Sequence, residues 1–559
     1  MTGSIIMKQT DILSADNKLA KFNGGLKLVG YKHISTGSTI NTVEPCKTYI
    51  VPLQQHIGAI SQPLIKPGDR VLKGQMLAKP GNMVSAAVHS PVSGTVSDIR
   101  QHDIPHISGL SDLCVVIEND FKEEWVERRP IGDDYNNTTS SDLRKIIRDA
   151  GIVGLGGATF PSSVKQTEVN IETLILNGVE CEPYITCDDA LMREHAREIM
   201  SGADIIGHII KARECIVAIE DNKPEAIQAM QSVIDEDGTG YFRLQVVPTI
   251  YPSGGEKQLI QILTGEEVPK GRFPAELGIL CHNVATAHAI HRAVYLGEPL
   301  ISRIVTITGH GVNQPQNIET LIGTPMQKCI EHCGGYTEDS DELIMGGPMM
   351  GFSLQSDELP VVKATNCLLV TARQEDTHRQ KHLPCIRCGK CADACPVRLL
   401  PQQLYWYASS HNTDRLVEHN LFDCIECGCC AYVCPSDIPL VQYYRHAKTT
   451  IWQQERERKA SDISRQRHEA HQRRLDKIKQ EREEKMRKKR ELLKKKSKQQ
   501  ASENQGDEKS SKQAIIAEAI ARTQTKKAQR NKDQESAGKE STDKDSTGKE
   551  DKIKETGQN

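Results

Sequence analysis

Aromatic residues are scarce in this chain of 559 residues: 7 Phe, 3 Trp and 13 Tyr make up 4% of it, and none follows Trp452. Of the 109 residues in 451–559, 52 are charged. Such a segment has too few apolar groups to offset chain entropy, so the tail is not expected to fold alone. No window approaches the ~18 to 20 uninterrupted apolar residues that cross a bilayer as a helix. The opening stretch MTGSIIMKQTDILSADNK puts acids and amides where a signal peptide needs an apolar run. The reading excludes a secreted or membrane-spanning chain and expects the cytoplasm. A disulfide framework is also excluded: of 18 Cys, nine crowd into Cys385–Cys434, which in a reducing compartment reads as metal ligation.

The net charge of −3 hides a split, because residues 1–450 carry 40 basic and 53 acidic side chains while 451–559 carry 31 and 21. At ~150 residues per domain the length suggests three or four folded domains. Residues 49–118 read as short β segments broken by Gly and Pro, an all-β unit. Next comes an alternation of strand and helix: a helix starting near Ser140 or Ser141, the strand TLILN (173–177), one long helix over 188–212, the strand ECIVAIE (214–220), a helix near 224–235, LQVVP (244–248) and a helix from Glu256. That order predicts an α/β layer with a parallel sheet. From about Ile301 an α+β segment follows. The expected domains are an N-terminal extension over 1–39, a barrel-sandwich over 40–125, the α/β domain over 126–295, the α+β segment over 296–370, a cysteine domain over 371–445 and a tail, part basic helix and part disordered, over 446–559.

Cys385-x2-Cys388-x2-Cys391-x3-Cys395-Pro396 is followed by Cys424-x2-Cys427-x2-Cys430-x3-Cys434-Pro435, every ligand recurring 39 positions later. A thiolate at every third residue wraps one corner of an iron–sulfur cubane, while the fourth cysteine, carried off by the proline turn, points away. The natural pairing is therefore crossed. Cys385, Cys388, Cys391 and Cys434 would hold one [4Fe-4S] cluster, and Cys395, Cys424, Cys427 and Cys430 the other. Zinc also suits thiolate pairs at this spacing but leaves the other cysteines unexplained. Cys429 falls outside the pattern and reads as a packing thiol. The remaining nine cysteines share no ligand spacing, and burial as small apolar groups is their default reading. That includes Cys329 and Cys333, one helical turn apart.

The loop Gly151-I-V-Gly154-L-Gly156-Gly157-A-T-Phe160-Pro161-S-S-V-Lys165 is denser in glycine than an ordinary turn; backbone without Cβ closes tightly around a planar ring or phosphate, and Lys165 adds positive charge. It is not the Rossmann fingerprint, since Thr159 stands where a third small residue is needed and a helix precedes the loop. A helix-terminating turn is the competing reading. Its context favours a ligand. The strand TLILN runs into Asn177-G-V-Glu180-C-Glu182-Pro183, crowding an amide and two carboxylates at the carboxyl end of a parallel strand, where open α/β sheets bind ligands. A third strand leads to Tyr251-P-S-Gly254-Gly255-Glu256. Solvated surface acids are the alternative for Glu180 and Glu182.

These motifs carry resemblances. GDRVLKGQML and SPVSGTV resemble the lipoyl/biotinyl barrel-sandwich family, but Pro80–Pro91 lacks the carrier lysine, so a structural or docking role is expected. Residues 151–290 resemble the flavin- and NADH-binding subunit of respiratory complex I: its GRGGAGFPTGLK looks like GLGGATFPSSVK, its N-x-D-E-x-E-P like Asn177 to Pro183, its G-E-E-T-A-L like Gly255-Glu256-K-Q-L, and its FPA…NNVET like Phe273-Pro274-Ala275 with Cys281-His282-Asn283-Val284-Ala285-Thr286. Val179, Lys257 and His282 depart from that pattern. The resemblance implies FMN and nicotinamide flanked by Gly154, Gly156, Gly157, Lys165, Asn177, Glu180 and Glu182, with Gly254, Glu256 and Asn283 near the flavin.

The module order, with a β-grasp segment of the soluble-ligand-binding type at 296–370, resembles the RnfC (RsxC) family of the Rnf (Rsx) ion-translocating electron-transport complex over about residues 20–445. The resemblance implies a multidomain α/β plus α+β protein on the cytoplasmic side of the bacterial inner membrane. It would exchange electrons between NAD(H) and low-potential carriers, with FMN, two [4Fe-4S] clusters, a ferredoxin-like subunit and integral subunits that move the ion. Residues 451–500, net +10, would be attracted to an anionic membrane surface, with a solvated charged helix that has no partner as the alternative reading; without aromatic interleaving they do not read as a nucleic-acid binder. The competing functions are a soluble reductase resembling cobalamin reductases and a cluster-bearing adaptor without flavin.

Overall fold

The computed structural model describes residues 19–167, 171–373, 382–503 and 516–527. The chain divides into two units, Met1–Gln453 and Gln454–Asn559.

In the first unit, Thr48–Pro52 buries Tyr49 and Val51 fully, the period-two pattern of a strand with one face on a core. It pairs antiparallel with Ser111–Asn119, which pairs with Gly94–Asp103, with Arg70–Val71 at the edge. The three strands Gln62–Pro63, Met76–Lys79 and Val88–His89 form a second sheet. Both sheets share a core that includes Val71, Leu77, Val88 and Ile117. The glycine of SPVSGTV has no room for a side chain, since a Cβ on Gly94 would lie 2.1 Å from Glu118 O.

The α/β layer is a four-stranded, all-parallel sheet in the order Phe242–Val247, Glu214–Glu220, Thr173–Gly178, Ile279–Asn283. Leu174, Ile175 and Leu176 are all fully buried, as a parallel strand covered by helices on both faces requires. Chain order reverses between Thr173–Gly178 and Ile279–Asn283, which makes their carboxyl ends the switch point where such sheets bind ligands. The sequence reading missed Ile279–Asn283 as a strand, taking it only as a motif. Two local expectations also shift. Helix Ser140–Asp149 is capped by Thr139, whose hydroxyl accepts from the Asp142 N–H, one residue before the expected serines, because the cap must precede the first helical residue. The helix expected over 188–212 is two, Cys187–Glu194 and Ala196–Ile210, broken at His195, whose φ of −127° and ψ of 33° are not helical.

A mixed six-stranded sheet follows, in the order Asn41–Thr42, Gln316–Leu321, Ser302–Thr308, Cys367–Ala372, Ser340–Met345, Phe352–Ser353. Cys329 and Cys333 are fully buried in its core. The cysteine module is built of short helices, Lys390–Asp393, Pro401–Ser409, Thr413–Glu418 and Cys429–Tyr432. Its 39-residue repeat is visible in the backbone: left-handed φ at Arg387, Gly389 and Arg398 recurs at Glu426, Gly428 and Asp437.

Helix Leu440–Glu503 carries the chain into the second unit. There, residues 454–498 are almost wholly exposed, and ion pairs one turn apart, such as Glu484–Lys488, support a helix without a core. Residues 516–527 form another exposed helix. Among the described residues, no helix is long and apolar enough to cross a membrane.

Candidate functional site

Asn177 and Asn283 are register partners at the carboxyl ends of the central strand Thr173–Gly178 and the edge strand Ile279–Asn283. Asn177 Oδ1 accepts the Val179 N–H at 2.9 Å and its Nδ2 donates to Gly254 O at 3.0 Å. Asn283 caps helix Val284–His291 by accepting the Ala285 N–H at 2.9 Å, and its Nδ2 donates to Asp188 Oδ2 at 2.6 Å. The glycine loop closes through Gly154 N–H to Phe160 O at 2.8 Å, and Leu155 N–H donates to Thr286 Oγ1 at 2.9 Å. Gly156 lies against Asn283, where a Cβ would come within 3.2 Å of the Asn283 Cβ; Gly157, at φ +118°, has open space where its side chain would be.

The charged residues take partners within the protein. Lys165 Nζ donates to Glu256 Oε1 and to Cys281 O, both at 2.6 Å, so its charge braces the start of helix Glu256–Thr264. Glu182 Oε1 accepts the Met349 and Met350 N–H groups at 2.7 and 3.0 Å, fastening the strand end to the turn of the neighbouring sheet. Glu180 is buried; its Oε1 accepts the Asp188 N–H at 2.9 Å, and its Oε2 is buried without a hydrogen-bond partner, 4.0 Å from Lys32 Nζ. Burial pushes the Glu180 carboxyl up, since a desolvated anion is disfavoured.

Sequence reasoning missed Lys32 and Asp188. Lys32 Nζ donates to the carbonyls of Glu180, Glu182 and Ile185 at 2.7, 2.8 and 2.5 Å, and burial pulls its pKa down. Nothing in its local sequence marks a contact with residues about 150 positions away. Asp188 follows the strand-end motif without a spacing of its own.

Cys385, Cys388, Cys391 and Cys434 line one cavity with Gln402 and Tyr405. The Arg387 N–H, positioned by a left-handed φ, donates to Cys385 Sγ at 3.4 Å. In the other set Cys395, Cys427 and Cys430 are buried, and the Leu399 N–H donates to Cys395 Sγ at 3.3 Å. Burial, followed by the charges of Cys424, Cys427 and Cys395, pushes the Cys430 thiol up. Thiols gathered so closely oppose one another's ionisation until a cation joins them. Soft thiolate donors at two such points, with backbone N–H groups on the sulfurs, fit two iron–sulfur clusters. Cys429 is fully buried and packs in one cluster with Cys427 and Tyr251.

The second set abuts the α/β domain. Tyr251 Oη, buried, donates to Cys427 O at 2.6 Å. Asn23 Nδ2 donates to Cys395 O at 2.9 Å, and Cys181 joins the apolar cluster of Tyr251, Cys427 and Cys429. The six residues Tyr251 to Glu256 therefore run from a cluster-ligand loop to Asn177 and Lys165.

Among known proteins, four family models match: the RnfC barrel sandwich hybrid domain at 20–122, the Nuo51 FMN-binding domain at 147–292, the SLBB domain at 304–353 and the 4Fe-4S dicluster domain at 384–438. The chain is 46% identical over 474 residues to the RnfC component of the ion-translocating oxidoreductase complex of Serratia proteamaculans, covering 84% of this chain and 67% of that one. It belongs to the RnfC family of ion-translocating oxidoreductase complexes. The protein of the same name from Pseudomonas aeruginosa is 49% identical over 82% of this chain and 59% of its own length, and that of Vibrio cholerae 46% identical over 83% and 60%. The chain thus spans about three fifths to two thirds of these relatives. The expected multidomain fold, the flavin-binding domain and the double-cluster domain of the family are present.

For the flavin, the fit rests on the cradle: the open space at Gly157, the close approach of Gly156 to Asn283, and two register-paired asparagines at the switch point. These suit a planar ring on exposed backbone.

Proposed function

We propose that this chain is the peripheral electron-transfer subunit of a membrane complex that couples exchange of electrons between NAD(H) and low-potential carriers to ion translocation. Gly154, Gly156 and Gly157 would hold FMN together with Asn177, Gly254 and Asn283, while Lys165, Glu180, Glu182 and Glu256 brace the loops that carry them. Bound there, a flavin supplies the conversion of a two-electron hydride into single electrons, and each cubane the one-electron relay. Cys395, Cys424, Cys427 and Cys430 would ligate the cluster nearer the flavin; Cys385, Cys388, Cys391 and Cys434 would ligate the outer one. Cys388 is exposed, which suits exit to a ferredoxin-like subunit and from there to integral partners. The basic helix would hold the chain at the cytoplasmic face of the inner membrane.

The observation that carries this reading is the loop Tyr251 to Glu256. Tyr251 Oη fixes Cys427 O, Gly254 O takes Asn177 Nδ2, and Glu256 takes Lys165. One short segment would therefore link the inner ligand set to the proposed flavin cradle. The test is an anaerobic EPR titration of the purified chain with NADH. Two reduced-cluster signals and flavin bleaching are expected. Iron present without NADH-dependent signals would make the chain an adaptor instead.

A further inference from the structure

Outside the flavin cradle and the cysteine module, three side chains converge without a role in the function above. His195 stands at the break between helices Cys187–Glu194 and Ala196–Ile210, and Glu198 lies one turn on. His288 faces them from helix Val284–His291. Glu198 Oε2 is 3.2 Å from His195 Nδ1 and 2.7 Å from His288 Nε2, and the three donor atoms lie within 4.8 Å of one another. The imidazole ring centroids are 5.2 Å apart and tilted by 52°, so the rings do not stack. His288, buried, also lines a cavity with Arg292, Glu298 and Glu319. Two arginines line it as well: Arg292 is held by both of those carboxylates, and Arg303 donates to the carbonyls of Thr365 and Leu155, while Glu194 and Glu319 add negative charge near His195.

We propose that His195, Glu198 and His288 bind one divalent transition ion of the zinc type, with a fourth position open to the cavity that His288 lines. Two imidazoles and a carboxylate are the donor set of a three-ligand zinc centre. An all-oxygen ion such as Ca²⁺ or Mg²⁺ would find one carboxylate and no carbonyl cage. The bound ion clamps the helix break at His195 to helix Val284–His291. The amino ends of the same two elements carry Asp188 and Asn283, which hydrogen-bond each other at 2.6 Å. The site thus lends rigidity to the switch point from outside it.

The test uses the full chain, purified anaerobically with its clusters intact, stripped with a mild chelator and titrated with Zn²⁺. One zinc per chain is expected, with a first shell in X-ray absorption of N/O at ~2.0–2.1 Å and no sulfur. His288→Gln and Glu198→Gln are each expected to weaken binding at least about 100-fold, since even outer-shell partners of a ligand are worth ~10–100-fold, with iron content and zinc-free thermal midpoint retained. If His288→Gln loses iron, the more exposed His195→Gln decides. Unchanged binding in His195→Gln, a sulfur shell at ~2.3 Å, or no zinc retained through gel filtration would overturn the proposal.

Discussion

Lys32→Met removes three ammonium-to-carbonyl bonds, at 2.5 to 2.8 Å, that hold the strand-end segment around Glu180, Glu182 and Ile185. A hydrogen bond to a charged group contributes ~1.5–3 kcal/mol, and a carbonyl left buried and unpaired costs ~1–3 kcal/mol. The three share one donor and are not additive, and the segment will relax towards water. A loss of about 3 kcal/mol in local opening free energy is therefore expected. At ~1.4 kcal/mol per factor of ten, amide exchange across residues 178–188 should accelerate more than about 100-fold while the strands Thr48–Pro52 and Ser111–Asn119 are unaffected. Hydrogen exchange read by mass spectrometry resolves both regions. Flavin retention should fall in parallel. Unchanged protection over 178–188 would refute the role given to Lys32.

Three further outcomes follow from single contacts. Gly156→Ala would set a Cβ 3.2 Å from the Asn283 Cβ; a cost of ~1–3 kcal/mol and weaker flavin retention on gel filtration are expected, with iron content unchanged. Lys363 is wholly buried, its Nζ donating to Ala87 O and Gly151 O at 2.8 and 2.6 Å, and burial pulls its pKa from 10.5 down to about 7. A lysine depressed in the folded state binds fewer protons there than when unfolded, so stability should rise with pH from about 7 towards 10.5. Urea unfolding across that range should show this slope in the wild type and lose it in Lys363→Met. Truncation after Gln453 keeps Ile451, which is buried in the core of the cysteine module. It should leave the iron bound but weaken retention on anionic vesicles at low salt, by ~1 kcal/mol for each cation no longer near the surface; equal retention would remove the tail from the account.

Periodicity alone revealed most of the sheet. TLILN and ECIVAIE are apolar runs bounded by polar turns, and they form the parallel strands Thr173–Gly178 and Glu214–Glu220. Ile279–Asn283 was not legible as a strand because five residues containing His and Asn carry no such run, yet its burial on the central strand completes the switch point. The break at His195 was hidden for a related reason: the apolar pattern continues through it. The cysteine repeat was the most legible feature, because ligand spacing is a local property that also recurs in the backbone, as the paired left-handed positions Arg387 and Glu426 illustrate. Partners were the least legible. The sequence put Lys165 and Glu182 at a ligand site, while the fold gives their charges to Glu256 and to the Met349 and Met350 amides. Residue type and position along a strand do not specify which distant group arrives there, and Lys32 is the clearest case.

The crossed ligation of the two clusters is tested most directly by the double variant Cys385→Ser/Cys434→Ser, assayed for iron and by EPR after anaerobic purification. With Cys434 shared by Cys385, Cys388 and Cys391, both substitutions fall on the outer cluster, and about four irons and one intact [4Fe-4S] signal should remain. Ligation within each consecutive motif would instead damage both clusters, and a chain left with neither would contradict the pairing.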